Sequence, residues 1–272
     1  MTALNEIPLG KQRHHSPGYD PAQLFPVSRK EARNSIGVPS PLPFTGKDIW
    51  NCYELSWLNT KGKPEIAIAR FVFPFDSDNI IESKSVKLYL NSLNQTCFQS
   101  ADQVRKTIEQ DFSRVSGKKV EVHLIRPGLF NREKLISFQG ICLDNLDVDI
   151  IDYQINPELL RVKDKKTSET VFSNLLRTRC PVTGQPDWAS IMIEYTGMEI
   201  DHKGLLKYLI SLRNHTGFHE NCVETIFMDI FNQCEPEKLL VYARFTRRGG
   251  VDINPFRSNY NALLQDMRLT RQ

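Results

Sequence analysis

The chain has 272 residues, 40% of them hydrophobic and 25% charged, with a formal net charge of +3. These proportions are ordinary for a soluble globular protein, and the charge is too small to imply nucleic acid or an acidic membrane surface as a partner. Six scattered cysteines without a CxxC pair, no apolar N-terminal run and no apolar stretch of bilayer length argue against a disulfide framework, a secretory leader and a membrane span; free thiols in the cytoplasm are expected.

Residues 1–45 are rich in Pro, Ser and basic side chains and read as an extended arm. The pair His14-His15 lies within it, with no third ligand nearby to make a metal site. Order begins around Trp50. Tyr53 to Leu58 alternates, Asn59-Thr60-Lys61-Gly62 makes a turn, and Glu65 to Phe73 alternates again, which predicts a β-hairpin. Val86, Tyr89, Leu90 and Leu93 then share one helical face. A second helix is expected from about Ala101, with Val104, Ile108 and Phe112 four apart. Val120 to Leu124 returns to strand periodicity, and a further strand is expected near Leu135 to Cys142.

After a crossover through residues 144–175, acidic and then basic, the order recurs. A strand is expected over 189–195. Tyr208-Leu209-Ile210-Ser211-Leu212 lines up with Tyr89-Leu90-Asn91-Ser92-Leu93, and Thr216-Gly217-Phe218 with Thr96-Cys97-Phe98. A helix with Val223, Phe227 and Phe231 follows, then a strand over 239–245. The pattern predicts an α+β protein of two tandem β-β-α-α-β-β modules, 46–150 and 151–272, each an antiparallel sheet with helices on one face.

The residues that can carry chemistry cluster in the second half. Arg179-Cys180-Pro181-Val182-Thr183-Gly184-Gln185-Pro186-Asp187-Trp188 sets a cysteine seven residues before an aspartate, with two prolines and a glycine shaping the loop between. Cys180 suits a nucleophile and Asp187 its proton donor, although a buried cysteine and a turn cap are the plainer reading of residue types alone. Phe218-His219-Glu220 opens a helix; Glu220 suits the positive end of the helix or an N–H-rich planar ligand, and Glu82 has the same two readings. Arg244-Phe245-Thr246-Arg247-Arg248-Gly249-Gly250 is a strand entering a basic, glycine-bearing turn that suits a phosphate or merely guards a sheet edge. No GxGxxG is present, so a Rossmann domain is not expected. His219 and Cys222, three apart on a helix, with Cys180, form a weak zinc alternative. RNA binding through the Arg244–Arg248 strand is a third, weakened by the lack of clustered aromatics beside it.

Taken together, Glu82-Ser83-Lys84-Ser85-Val86-Lys87-Leu88-Tyr89, Cys180 with Gln185-Pro186-Asp187-Trp188, Phe218-His219-Glu220 and Arg247-Arg248-Gly249-Gly250 resemble, in order, the motifs of the QueF family of NADPH-dependent 7-cyano-7-deazaguanine reductases. The resemblance runs from about Thr45 to Arg257 and is to the longer, two-module branch. It implies the tunnelling fold, no metal, and reduction of a nitrile to a primary amine on the path to the tRNA base queuosine. It implies Cys180 as the nucleophile forming a thioimide, and Asp187 and His219 in proton transfer. Ile81, Glu82, Ser83, Phe218, His219 and Glu220 would contact the substrate, and Ser83, Lys84, Arg248 and Gly249 the NADPH. It further implies a homodimer, and leaves open a protective disulfide of Cys180, for which Cys97 is one conceivable partner.

Overall fold

The computed structural model describes residues 18–262, 264 and 267–272, so His14-His15 and the start of the expected arm lie outside the described residues. The chain divides into two compact units. One comprises residues 1–32, 48–134 and 247–252; the other comprises 33–47, 135–246 and 253–272.

Short elements fall within the expected arm, among them a 3-10 turn (Pro21–Gln23), strand β1 (Pro26–Ser28) and helix α1 (Arg29–Ser35). Strand β2 (Thr45–Leu58) and strand β3 (Pro64–Pro74) then form the predicted hairpin. Residues from Ala67 to Phe73 bury every second side chain, which is why period-two alternation found β3. Strand β4 (Asn79–Ile81) pairs with β1. Helix α2 (Ser83–Ser92) follows, then α3 (Ala101–Ser116). Ser100 caps α3 by accepting from the Gln103 amide at 3.2 Å, and Gly117, at φ +84°, ends it in the left-handed conformation. Strand β5 (Glu121–Ile125) lies antiparallel on β3. The core of this unit gathers around Phe112 of α3, whose ring meets Phe71 at 4.9 Å, Tyr89 at 5.5 Å and Phe73 at 5.7 Å.

In the other unit, two-residue β6 (Ile141–Cys142) runs parallel to β7 (Val162–Ser173). The strand expected near residues 135–142 is thus almost reduced to a bridge, and it belongs with the second unit rather than with residues 46–134. Short β8 (Arg177–Arg179) leads into β9 (Pro186–Ile200), which pairs with β7 and with β10 (Lys238–Phe245); β10 also pairs with β11 (Val251–Ser258). All these pairings except β6–β7 are antiparallel. Helices α4 (His202–Ser211) and α5 (His219–Cys234) lie between β9 and β10 in sequence, and α5 packs on β10. Strand β7, absent from the sequence expectation, is a charged run with an exposed first half, so it shows no apolar alternation to read.

The two helix pairs share one polar detail. The Tyr89 hydroxyl donates to Asp111 at 2.7 Å, and the Tyr208 hydroxyl donates to Asp229 at 2.6 Å. Each unit thereby ties its shorter helix to its longer one by a tyrosine–aspartate bond. Burial and the neighbouring carboxylates push both phenols far above the usual range, so they act as permanent donors.

Candidate active site

The chemistry-bearing hairpin is built by β8 and β9. Thr178 pairs with Asp187 and Arg179 with Pro186, leaving residues 180–185 as the loop. That loop is closed by the Cys180 amide on the Gln185 carbonyl at 2.9 Å and the Gly184 amide on the Cys180 carbonyl at 3.0 Å. Gly184 has φ +66° with nothing within 4 Å of a would-be Cβ, so the turn demands glycine for its dihedral and not for space. Cys180 stands half-buried at the mouth of the hairpin, while Asp187 is only 4% exposed. The Trp188 ring meets the guanidinium groups of Arg177 (5.7 Å) and Arg213 (5.3 Å).

A second segment is drawn alongside. The Arg179 amide donates to the His215 carbonyl at 2.8 Å, and the Gly217 amide donates to the Arg179 carbonyl at 3.2 Å. This bridge sets the start of α5 beside Cys180. Phe218 is the N-cap residue of α5 and offers no side-chain acceptor to the first turn. His219 Nε2 lies 3.7 Å from Asp187 Oδ1, and its ring packs on Phe245 with centroids 4.0 Å apart. Glu220, in the first turn, is 3% exposed. Cys222, one turn on from His219, is fully buried. Burial, with the charges of Asp187 and Glu220 added, pushes its thiol up to about 12, so it stays protonated and is a poor nucleophile or metal ligand. No group of three His, Cys, Asp or Glu side chains among the described residues is arranged to hold a metal ion. All six cysteines are free thiols, Cys97 exposed.

His215 braces this bridge, and burial lowers its pKa from 6.5. A histidine whose folded pKa is depressed contributes stability that is complete above the unfolded value of 6.5 and declines as pH falls below it, toward the folded value. His215→Asn should therefore lose less stability than the wild type on acidification through that range. Thermal melts taken along a pH series will show it as a shallower decline; parallel curves would rule the effect out.

The other unit holds the remaining predicted residues. Ile81 ends β4 and is buried. Glu82 is the N-cap of α2, its two carboxylate oxygens accepting from the Lys84 and Ser85 amides, each at 2.8 Å. The capping reading is thus satisfied, and a ligand would use the carboxylate's remaining lone pairs. Ser83 and Lys84 follow, half-buried. Arg248 and Val251 exchange backbone hydrogen bonds around a turn in which Gly249 has φ +59°. A cleft of ≈ 120 Å³ is lined by Glu54, Lys87, Asn91, Asn94 and Gly249 among others. Lys87 was not singled out from the sequence, although it follows Ser83 and Lys84 by one helical turn and was within reach of a periodicity argument. A Cβ on Gly249 would stand 3.2 Å from the Lys87 side chain, so glycine keeps this approach open. Cations beside a glycine turn fit the phosphates of a dinucleotide.

A half-buried thiol in the hairpin loop, a buried acid on the following strand and an imidazole 3.7 Å from that acid, on an α+β frame, are groups from which a cysteine-dependent enzyme can be built. Comparison with known proteins narrows the class. Residues 15–124 match the family model described as "Nitrile reductase, 7-cyano-7-deazaguanine-reductase N-term", and residues 186–262 match that of "QueF-like protein". The NADPH-dependent 7-cyano-7-deazaguanine reductase of Paraburkholderia xenovorans is 57% identical over 98% of both chains. The protein of the same name from Desulfotalea psychrophila is 54% identical over 98% of this chain and 97% of its own. Among solved structures, the archaeosine synthase QueF-Like in the apo form shares 14% identity over 35% of this chain and 94% of its own at a TM-score of 0.31, too slight a likeness to characterise the fold. This chain belongs to the QueF family of nitrile reductases.

Proposed function

We infer that this protein reduces the nitrile of 7-cyano-7-deazaguanine to the primary amine 7-aminomethyl-7-deazaguanine with NADPH, in queuosine biosynthesis. The observation that carries the mechanism is the placement of Cys180, Asp187 and His219 around one hairpin, by the β8–β9 ladder and the Arg179–Thr216 bridge. Cys180 Sγ adds to the nitrile carbon as a thiolate, and Asp187 gives a proton to the nitrogen, leaving a thioimide. His219, beside Asp187, moves protons as the nitrogen becomes an amine. Once the thioimide carbon has been reduced, the carbon–sulfur bond would break, releasing Cys180 as the thiolate and leaving an imine. Bound NADPH supplies hydride, two per nitrile because the conversion takes four electrons. Between the two reductions an imine must be shielded from water, a task suited to the buried Asp187 of the hairpin with Glu220 and Cys222 of α5. Ile81, Glu82, Ser83, Phe218, His219 and Glu220 are the proposed substrate contacts. Ser83, Lys84, Arg248 and Gly249 are the proposed contacts to NADPH, and the cleft beside Gly249 adds Lys87 to them. The repeated tyrosine–aspartate tie supports reading the family's tunnelling fold here as two tandem modules, and the family resemblance alone suggests that they associate into a homodimer.

The test follows NADPH absorbance on mixing with the nitrile. Two NADPH should disappear per nitrile, and Asp187→Asn should cut kcat by about 10²–10⁴-fold with the protein still folded. Silence in freshly reduced wild type would overturn the reading.

A further inference from the structure

We propose that Gln272 is a positioning residue for His219, acting through Phe245; this rests on the reading of His219 as a proton-transfer group. Gln272 is 5% exposed, unusual for an uncharged amide unless its bonds are met. They are met in full. Its Oε1 accepts from Arg244 Nε at 2.8 Å and from the Leu269 amide at 3.1 Å. Its Nε2 donates to the Phe245 carbonyl at 3.0 Å and to Asn254 Oδ1 at 2.7 Å. A carboxamide has two donors and two acceptor directions, so the group is saturated and its orientation fixed.

The partners show what this cross-link does. Arg244 is 1% exposed and also donates to the Tyr242 hydroxyl at 2.6 Å. Phe245 is the last residue of β10, opposite Ala189, which stands two positions after Asp187 on β9. Its ring is the surface on which the His219 imidazole lies, 4.0 Å between centroids and tilted by 42°. At the point where β10 ends, Gln272 grips the Phe245 carbonyl and the preceding arginine together. The ring under His219 is thereby fixed, and with it the 3.7 Å approach of His219 to Asp187.

The segment that delivers Gln272 has anchors of its own. The Arg268 carbonyl accepts from the Ile136 amide at 2.9 Å, Leu269 is buried, and Arg271 donates to the Asn174 carbonyl at 2.6 Å. Removing the amide therefore tests the amide rather than the docking of the segment. Gln272→Glu is the sharper variant, because it retains size and the bond from Arg244 while setting a carboxylate oxygen against two acceptor oxygens.

The experiment compares full-length wild type, Gln272→Ala, Gln272→Glu and Arg271→Ala by nitrile turnover, thermal melting and NMR of the His219 imidazole, assigned with a His219→Asn sample. In both Gln272 variants kcat should fall roughly 10- to 100-fold while KM for the nitrile holds within about twofold, because misplacing a proton-transfer group harms the chemical step more than binding. The His219 ring signals should move. Arg271→Ala should lower the melting temperature and leave kcat and the His219 signals in place. His219 signals that superimpose on wild type in both Gln272 variants, or an equal kcat loss in Arg271→Ala, would overturn the proposal. Because the NMR readout needs no turnover, a wild type inert toward the nitrile would sink the reductase reading and still leave the role of Gln272 decided.

Discussion

Cys180→Ala will be folded and without nitrile reduction, its turnover at least about 10⁴-fold down, the scale expected when a covalent nucleophile is removed. None of the five other thiols has the same setting. Cys222 is buried with its thiol pushed up to about 12, and Cys52 and Cys234 are buried with theirs near 11. Each is held in the un-ionised form that attacks poorly. Cys97 and Cys142 are accessible to some degree but lie in other settings, on a bridge to Leu58 and in β6. Intact-mass spectrometry without NADPH will make the comparison direct: one nitrile adduct on wild type, none on the variant. An adduct on Cys180→Ala would move the nucleophile elsewhere and take the mechanism with it.

The largest effect on stability is expected at Glu224. This α5 carboxylate is 1% exposed and accepts from two arginines at once. Arg33 donates to it through Nε at 3.0 Å and Nη2 at 2.7 Å, and Arg257 donates through Nε at 2.9 Å, with its Nη2 in ion-pair range at 2.8 Å. Phe44 lies under both guanidinium groups, 5.6 Å and 5.7 Å from its centroid, and meets Phe227 of the same helix at 5.3 Å. Glu224→Ala would strand two cations in the protein interior. The cost of breaking a buried pair is about 3–5 kcal/mol, which for a chain of this size is a melting-point drop of roughly 6–20 °C. Glu224→Gln should lose less, since its carbonyl still accepts one bond. Because α5 also carries His219 and Glu220, activity should fall at temperatures where the wild type is still whole. Calorimetry on both variants measures this, and unchanged melting would show the cluster to be energetically idle.

The sequence made the helices and the β2–β3 hairpin readable because their apolar periods are intact: Val104, Ile108 and Phe112 are all fully buried, as their spacing demands. It concealed β7, whose Lys163, Lys165 and Lys166 point to solvent and pair with Glu199 and Glu237. A strand stabilised by ladder bonds and exposed ion pairs carries no hydrophobic rhythm. Helix α1 was hidden for a related reason: it is short, and its two buried side chains are arginines, Arg29 paired with Asp48 and Arg33 with Glu224. At the site, the loop chemistry around Cys180 and Asp187 was legible from Pro, Gly and residue type. The adjacency of His219 was not legible from spacing, since the Arg179–Thr216 bridge that creates it joins residues far apart in sequence. Gln272 was invisible for the same reason, as a polar residue three of whose four partners are distant in sequence.

The contact of Trp188 with two arginines has an optical consequence. The chain has three tryptophans, and Trp50 and Trp57 are 2% and 0% exposed, whereas Trp188 is 37% exposed. The red-edge emission of the native protein therefore belongs to Trp188 alone, one peptide bond from Asp187. Its indole is in contact with guanidinium groups and open to quenchers, so the hairpin carries a built-in fluorophore that reports on its own surroundings without a label.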